Sequence, residues 1–273
     1  MVDARPHAFD GVAPRYDAAF TDQQLGVWLR EVVWRELDCA FATGDTALDL
    51  GCGTGADARH LAERGVQVIA TDASTGMLDV ARHRAELAGL ADRISFYRLD
   101  LRDVGAIGLP TALTDSEPLA GAYSDFGPLN CLPDRRALAT TLARVIRPGG
   151  SFVAVVMGSL CPWETFWYAF HGHPRTAIRR FRSGVRSQVG DGIVRVWYPS
   201  PRRLRAEFAP VFEHVRTIGV GITLPPSNLG HLIPKAPRLF AATNALDERL
   251  RRHRPFNWLN DHYMIVFRRR GTE

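Results

Sequence analysis

The residues best placed to do chemistry in this 273-residue chain are three glycines at alternate positions, Gly51, Gly53 and Gly55. They follow a short apolar run that carries Asp49, and a helical pattern of apolar residues begins directly after them. Glycine permits a tight turn and lets a ligand approach the backbone closely, so this strand, turn and helix form the entry to a nucleotide-binding α/β unit. The spacing therefore predicts a site for an adenosine-type cofactor at the end of the first strand.

Two cofactors compete for this loop. Gly51, Gly53 and Ala56 also satisfy the dinucleotide pattern G-x-G-x-x-G/A, which keeps an NAD(P)-dependent oxidoreductase as an alternative. Against it, Asp49 precedes the first glycine by two residues, where it would crowd a pyrophosphate but suit a ligand with an ammonium or sulfonium group. No Tyr-x-x-x-Lys pair is present either, since Lys235 is the only lysine. We therefore expect S-adenosyl-L-methionine as the cofactor and S-adenosyl-L-homocysteine as its product.

Acidic residues also end the next two predicted strands. Residues 66–71 are predicted to form a buried second strand that ends at Asp72, and residues 94–99 a third strand that ends in Asp100. A carboxylate at the position of Asp72 can accept hydrogen bonds from both ribose hydroxyls, as it also does in NAD enzymes. Asp72 therefore indicates adenosine rather than one particular cofactor. The alternative is that it is a solvated residue at a strand end.

With TALDLGCGTG at residues 46–55, Asp72 after the second strand and Asp100-Leu101 after the third, the chain resembles the class I S-adenosylmethionine-dependent methyltransferases. Among these it is most similar to the ubiquinone/menaquinone-biosynthesis type and related bacterial small-molecule enzymes. The resemblance implies a Rossmann-like α/β fold with a seven-stranded, mostly parallel sheet, helices on both faces, and an inserted helical, aromatic lid.

The resemblance covers residues 9 to 158 and includes the F-D-x-x-A-x-x-Y-D segment of residues 9–17. It implies that Asp100 lies beside the adenine amino group, and that Tyr16 closes the pocket near the methionine end unless it only packs the first helix. The residues and the resemblance together predict cofactor contacts from Tyr16, Asp49, Gly51, Cys52, Gly53, Gly55, Asp72, Ala73, Met77, Asp100, Leu101 and Ser124.

A single methyltransferase domain is expected over residues 1–273, in three sections. Residues 1–42 are predicted to form an N-terminal helical cap, residues 43–158 the cofactor-binding core, and residues 159–273 the lid insertions and the remaining strands. In the third section we expect a helix over residues 174–182 and a strand over residues 193–198.

Two long segments of the third section are expected to build a lid over the substrate. One is the aromatic stretch Trp163–Phe170, and the other is the proline-rich run of residues 224–237. Aromatic residues over a pocket suit a flat, partly apolar molecule and keep water out of the reaction. The alternative is that these aromatic residues only form the core of the inserted helices.

Methyl transfer requires the acceptor atom to be held in line with the methyl group, and a base is needed only if the acceptor must lose a proton. His231, His171 and Asp125 are the candidates for that base. We expect a small, partly apolar organic acceptor, most simply methylated on oxygen in secondary metabolism. Methylation of nitrogen or carbon, a cyclase or binding protein that transfers nothing, and an RNA methyltransferase stay open.

The composition is that of an ordinary globular protein, with 46% apolar and 23% charged residues. No apolar run is long enough to span a bilayer, the N-terminus carries no signal-peptide pattern, and the four cysteines lack metal-like spacing. We therefore expect a cytoplasmic protein, a monomer or homodimer, with no membrane partner and no metal. The net charge of +5 comes with arginine clusters, which we interpret as a solvated surface rather than a nucleic-acid site.

Overall fold

Nine strands are present in the computed structural model, counted over residues 7–110 and 117–271, which the structure describes. In chain order they are β1 (Thr46–Leu50), β2 (Gln67–Asp72), β3 (Ile94–Arg98), β4 (Leu119–Ser124), β5 (Ile146–Met157), β6 (Val185–Val189), β7 (Gly192–Val196), β8 (Phe212–Val220) and β9 (His262–Arg269). Seven of them form one sheet in the order β3-β2-β1-β4-β5-β9-β8, and β6 and β7 pair separately. The first five strands of the sheet run parallel, and β9 is antiparallel to both of its neighbours. The predicted seven-stranded, mostly parallel sheet is therefore confirmed.

Helices cover both faces of this sheet. They are α1 (Gln24–Ala40), α2 (Ala56–Glu63), α3 (Thr75–Leu87), α4 (Val104–Ile107), α5 (Arg136–Val145), α6 (Pro162–Phe170), α7 (Pro174–Ala177), α8 (Pro201–Phe208) and α9 (Pro237–Leu250). The apolar stripes of α1 and α2 bury one face, and those of α5 and α8 bury the other. On the second face the rings of Phe152, Phe208 and Phe267 stack with centroids 4.9 to 6.2 Å apart.

The topology brings the carboxyl ends of β1 to β4 to one edge of the sheet. Parallel strands joined by crossover helices always present these ends together, and ligands of such sheets bind there, at the point where strand order reverses. In this sheet the reversal lies between β1 and β4, which are neighbours in space although β2 and β3 come between them in sequence. The glycine loop after β1 therefore lies at the reversal point.

Three predicted segments differ from the structure. The strand predicted over residues 193–198 is β7, but it belongs to a hairpin with β6 outside the main sheet. The helix predicted over residues 174–182 is only the single turn α7 followed by a 3-10 turn, Arg179–Phe181. In the N-terminal cap, α1 begins at Gln24, residues 7–23 form turns and short irregular helices, and residues 1–6 lie outside the described residues.

Within the described ranges, we find no helix that combines the length and the apolar character needed to cross a membrane.

Candidate active site

The glycine loop after β1 takes a conformation that only glycine adopts easily. Gly51 and Gly53 have φ angles of +84° and +53°, in the left-handed region. A Cβ atom on Gly51 would lie 2.2 Å from the Cγ of Pro128, so the loop and the segment after β4 are in direct contact. A Cβ on Gly53 would meet no atom within 4 Å, because this side of the loop faces open space.

That open space is a cavity of about 610 Å³. Its floor is formed by the glycine loop and by the residues that end β2, β3 and β4, and its roof by the N-terminal segment of residues 7–16 and by the β6–β7 hairpin. The volume lies within the range of pockets that enclose small organic ligands. The cavity can therefore accommodate a cofactor at the glycine loop, in what is here called the cofactor half, and a further molecule under the hairpin, in the acceptor half.

Asp72 lies on the cavity floor and accepts two backbone hydrogen bonds. The amide of Gly53 donates to one carboxylate oxygen at 2.9 Å, and the amide of Ser74 donates to the other at 2.8 Å. Burial raises the pKa of this carboxyl group, against the effect of the two amides. Because a carboxylate offers about four acceptor positions, each oxygen can still accept a hydrogen bond from a ligand hydroxyl.

Asp100, at the end of β3, also lines the cavity and is held by its own neighbour. The guanidinium of Arg102 donates to both carboxylate oxygens, and the backbone amide of Arg102 donates at 2.9 Å. Burial alone would raise the pKa of Asp100, but these hydrogen bonds hold it below its usual value. The group is therefore a fixed anion at the rim of the cofactor half of the cavity.

Two aspartates fix the N-terminal segment above this floor. Asp10 accepts hydrogen bonds from the hydroxyl of Ser74 at 2.6 Å and from the amide of Gly76 at 3.1 Å, at the start of α3. Asp17 accepts a hydrogen bond from the hydroxyl of Thr54 in the glycine loop at 2.7 Å. These contacts hold the segment in place as a strap across the cofactor half.

Asp125, directly after β4, is the least satisfied acid on the cavity wall. It is buried, and among the residues that the structure describes neither of its oxygens has a hydrogen-bond partner. Burial raises the pKa of its carboxyl group well above the usual value, the neighbouring carboxyl groups of Asp57 and Asp49 raise it further, and Arg30 opposes them. An unpaired buried carboxyl group is costly, so one facing a cavity is a candidate for contact with a ligand.

Phe126, the residue after Asp125, has a φ of +55°, which residues other than glycine rarely adopt. Its ring lies under the guanidinium of Arg30, 5.2 Å from the ring centroid. Arg30 is buried and forms a 2.5 Å ion pair with Asp57, which also accepts a hydrogen bond from the indole of Trp34 at 2.8 Å. The buried cation of Arg30 and the strained backbone at Phe126 therefore lie directly beside Asp125. Strain of this kind often accompanies functional positions.

The β6–β7 hairpin forms the apolar roof of the other half of the cavity. Ser187, Val189, Val194 and Val196, which alternate along the two strands, line the cavity, and Ile193 and Arg195 between them also border it. At the hairpin turn, a Cβ on Gly192 would lie 2.5 Å from the Cβ of Ala8, so the hairpin touches the N-terminal strap. The two roof elements thus meet above the cavity.

Eight of the predicted cofactor residues lie on the cavity wall: Tyr16, Gly51, Gly53, Asp72, Ala73, Met77, Asp100 and Leu101. Four others do not. Asp49 and Cys52 are buried, and Gly55 is the residue before α2. The hydroxyl of Ser124 donates to the carbonyl of Leu50 at 2.8 Å and so joins β4 to β1 instead of facing the cavity.

The structure does not bring the two predicted histidines to the cavity. His171 is exposed, and its ring stacks on Trp167 at 4.1 Å. His231 is also exposed, within the 3-10 segment Ser227–Lys235. Of the three proposed catalytic groups only Asp125 lines the cavity.

The aromatic helix α6 is likewise absent from the cavity wall. The indole of Trp163 donates to the carbonyl of Thr223 at 3.0 Å, and the hydroxyl of Tyr168 accepts a hydrogen bond from Asn228 at 2.7 Å. The two predicted lid segments therefore pack against each other, and the hairpin takes the place expected of them. The sequence carried a signal for it, because apolar residues alternate on both sides of Gly190-Asp191, a two-residue hairpin connection.

Comparisons with known proteins agree with this geometry. Residues 47–150 match the family model of a methyltransferase domain. The demethylmenaquinone methyltransferase of Beutenbergia cavernae is 36% identical over 198 residues, which cover 68% of this chain and 73% of the relative. The protein of the same name from Clavibacter sepedonicus is 36% identical over 148 residues, 53% of this chain, and this chain spans only about half (54%) of its length. The crystal structure of an S-adenosylmethionine dependent methyltransferase from Mesorhizobium loti has the same fold, with a TM-score of 0.56 at 19% identity over 88% of this chain and 98% of that one.

Proposed function

Because the chain belongs to the S-adenosylmethionine-dependent methyltransferases, we propose that it transfers a methyl group to a hydroxyl oxygen of a small, partly apolar organic molecule, in secondary metabolism. The cavity supports this proposal because its two halves differ in chemical character. One half has glycines and carboxylates suited to an adenosine cofactor, and the other has an apolar roof over one unpaired acid.

The residues present fit S-adenosylmethionine. The open side of Gly53 leaves room for it, and the oxygens of Asp72 retain acceptor positions for ribose hydroxyls. Asp100 lines the same part of the cavity, and the family resemblance implies that the adenine amino group lies beside it. Asp49, which is buried and absent from the cavity wall, takes no part in this fit. When bound, the cofactor supplies an electrophilic methyl group and a neutral thioether leaving group.

The carboxyl group of Asp125 is the observation that carries the choice of oxygen as the methylated atom. In its ionised form it accepts the proton of an acceptor hydroxyl, which makes the oxygen a better nucleophile. Burial and two neighbouring carboxyl groups raise the pKa of Asp125, and a base with a raised pKa is better matched to a weakly acidic hydroxyl. Arg30 acts in the opposite direction and lowers this pKa, but less than burial raises it.

The roof of the cavity determines which acceptors enter. Val189, Val194 and Val196 present an apolar surface, and Ser187 adds one hydroxyl that can donate or accept a hydrogen bond. A flat ring that carries a hydroxyl group satisfies both the roof and Asp125. Closing the cavity over such a ring excludes water and orients the acceptor oxygen.

The proposal is tested with methyl-labelled S-adenosylmethionine and a panel of phenols, each paired with its methyl ether and its aniline analogue. Label is expected in phenols and not in the ethers or anilines. Asp125→Asn is expected to lower kcat about a hundredfold while S-adenosylhomocysteine binds as in the wild type. Asp79→Asn, at an exposed acid on α3, serves as the control. Transfer to nitrogen or carbon analogues alone, or an Asp125→Asn variant with full activity, would contradict the proposal.

A further inference from the structure

Four large apolar side chains lie exposed on the segment from α6 to the 3-10 turn Arg179–Phe181. They are Phe166, Phe170, Ile178 and Phe181, with 62%, 86%, 46% and 60% of their surface accessible. Single exposed apolar residues are ordinary, but several on one short segment mark an interaction site. Since this segment does not line the cavity, its aromatic residues need another explanation.

A buried ion cluster determines which way α6 faces. Glu164 is buried and accepts hydrogen bonds from Arg179 at 2.6 and 2.9 Å and from Arg180 at 2.8 Å. A helix turns by roughly 100° per residue, so Phe166 and Phe170 lie on the side opposite Glu164. The cluster therefore fixes the two phenylalanines outward in the folded protein.

Beyond the buried Glu164, the charged residues of this segment are all arginines. Residues 165–190 contain five arginines and no aspartate or glutamate. Arg175 and Arg182 are exposed, and no ion pair joins either of them to an acid in the described parts of the chain. Exposed phenylalanines interleaved with unpaired arginines are typical of segments that lie in the interface of an anionic bilayer.

We propose that the segment Phe166–Arg182, here called the basic aromatic face, docks on the surface of an anionic lipid bilayer. Its apolar side chains would enter the boundary of the acyl chains, and its guanidinium groups would meet the phosphates. The face lies on the membrane and does not span it. This departs from the expectation of no membrane partner that composition gave. It does not depend on methyl transfer.

Two other occupants fit the face less well. A second copy of the chain meeting it symmetrically would bring the arginines of one copy against those of the other, with no acid on either segment. Single-stranded RNA would use aromatic rings for stacking, but Ile178 offers no ring and is exposed with the phenylalanines. A bilayer accepts aliphatic and aromatic side chains alike.

Docking would also bring the cavity close to the membrane. The roof hairpin begins at Val185, three residues after Arg182. Arg186, Ile193 and Arg195 of this hairpin are exposed and continue the same mixture of cationic and apolar side chains, and Ile193 and Arg195 also border the cavity. An acceptor dissolved in the bilayer would therefore enter beside the roof, a consequence that rests on the proposed function.

The docking is tested by sedimentation of the full chain with vesicles of phosphatidylcholine alone and with about one third phosphatidylglycerol. Binding is expected only to the anionic vesicles. Phe166→Ser with Phe170→Ser, and separately Arg175→Gln with Arg182→Gln, are expected to weaken it at least about tenfold. Leu87→Ser, at a residue 75% exposed on α3, and Arg144→Gln, at an exposed arginine of α5, should bind as the wild type.

Three results would overturn the docking. The first is that the wild type sediments equally with anionic vesicles, with neutral vesicles and without vesicles. The second is that the phenylalanine variant binds anionic vesicles as the wild type does. The third is that the wild type self-associates with rising concentration in the absence of lipid and the phenylalanine variant does not. If the phenylalanine variant binds anionic vesicles unchanged, the arginines bind by non-specific electrostatic attraction, which any polyanion, including RNA, would satisfy. Titration of each variant with S-adenosylhomocysteine shows that the cavity is intact, which separates this outcome from failure of the proposed function.

Discussion

Asn130 and Trp197 form a reciprocal pair that attaches the roof hairpin to the end of β4. The side-chain amide of Asn130 donates to the carbonyl of Trp197 at 2.7 Å, and the amide of Trp197 donates to the backbone carbonyl of Asn130 at 2.7 Å. The same side chain bonds the carbonyl and the amide of Met157 at 3.0 Å each. One buried residue thus sets the position of the hairpin relative to β5 and to Asp125.

Replacing Asn130 by alanine is expected to loosen the hairpin without emptying the cofactor half. Three partly buried backbone groups would lose their partner, so the free energy of unfolding should fall by about 2–4 kcal/mol. KM for the acceptor should rise while the affinity for S-adenosylhomocysteine changes little, as measured by steady-state kinetics and calorimetry. Asn228→Ala, at an exposed amide, is the control. A variant with unchanged KM would show that Asn130 does not position the roof.

The N-terminal strap depends on Asp10. Asp10→Ala removes the acceptor for the hydroxyl of Ser74 and the amide of Gly76, so the strap should open more often. We expect faster tryptic cleavage after the exposed Arg15 and about tenfold weaker binding of S-adenosylhomocysteine. Asp22→Ala, at an exposed acid that follows the strap in sequence, should leave both unchanged. Equal cleavage rates in the two variants would mean that other contacts hold the strap.

Asp125 should make the protein without ligand less stable as pH rises. Its pKa is raised in the folded state, so the folded protein holds this proton to higher pH than the unfolded chain does. The stability difference between Asp125→Asn and wild type should therefore grow from about pH 4 upward and level off above the raised pKa, at about 1.4 kcal/mol for each pKa unit of the shift. Thermal unfolding of both proteins across pH measures it. A wild type that gains stability over the variant as pH rises would contradict the raised pKa.

The cofactor half of the site follows from local sequence because its parts are short-range features. Alternate glycines after an apolar run predict the loop after β1, and Asp72 and Asp100 follow strands whose apolar character is visible without any tertiary information. Parallel topology then brings these strand ends together by necessity. Most of the predicted cofactor residues accordingly lie on the cavity wall.

The acceptor half does not follow in this way. The direction in which α6 faces depends on the ion cluster of Glu164 with Arg179 and Arg180, and a count of aromatic residues cannot reveal it. Asn130 donates a hydrogen bond to Trp197, which is 67 residues away in sequence, and no sequence pattern predicts this contact. Ser124 and Asp125 are adjacent, but Ser124 ends β4 and its hydroxyl joins that strand to β1, whereas Asp125 follows the strand and lines the cavity.

The most direct test of the cofactor site compares two glycines that differ in position but share their conformation. Gly53 and Gly89 have φ of +53° and +68°, and a Cβ on either would meet no atom within 4 Å, but only Gly53 lines the cavity. Valine at either position strains the backbone similarly, so any difference in binding reports on the cavity. Calorimetric titration with S-adenosylhomocysteine should give micromolar binding for the wild type and for Gly89→Val, and at least about fiftyfold weaker binding for Gly53→Val. Equal binding by the two variants, or tight binding of NADH with no response to S-adenosylhomocysteine, would contradict the account.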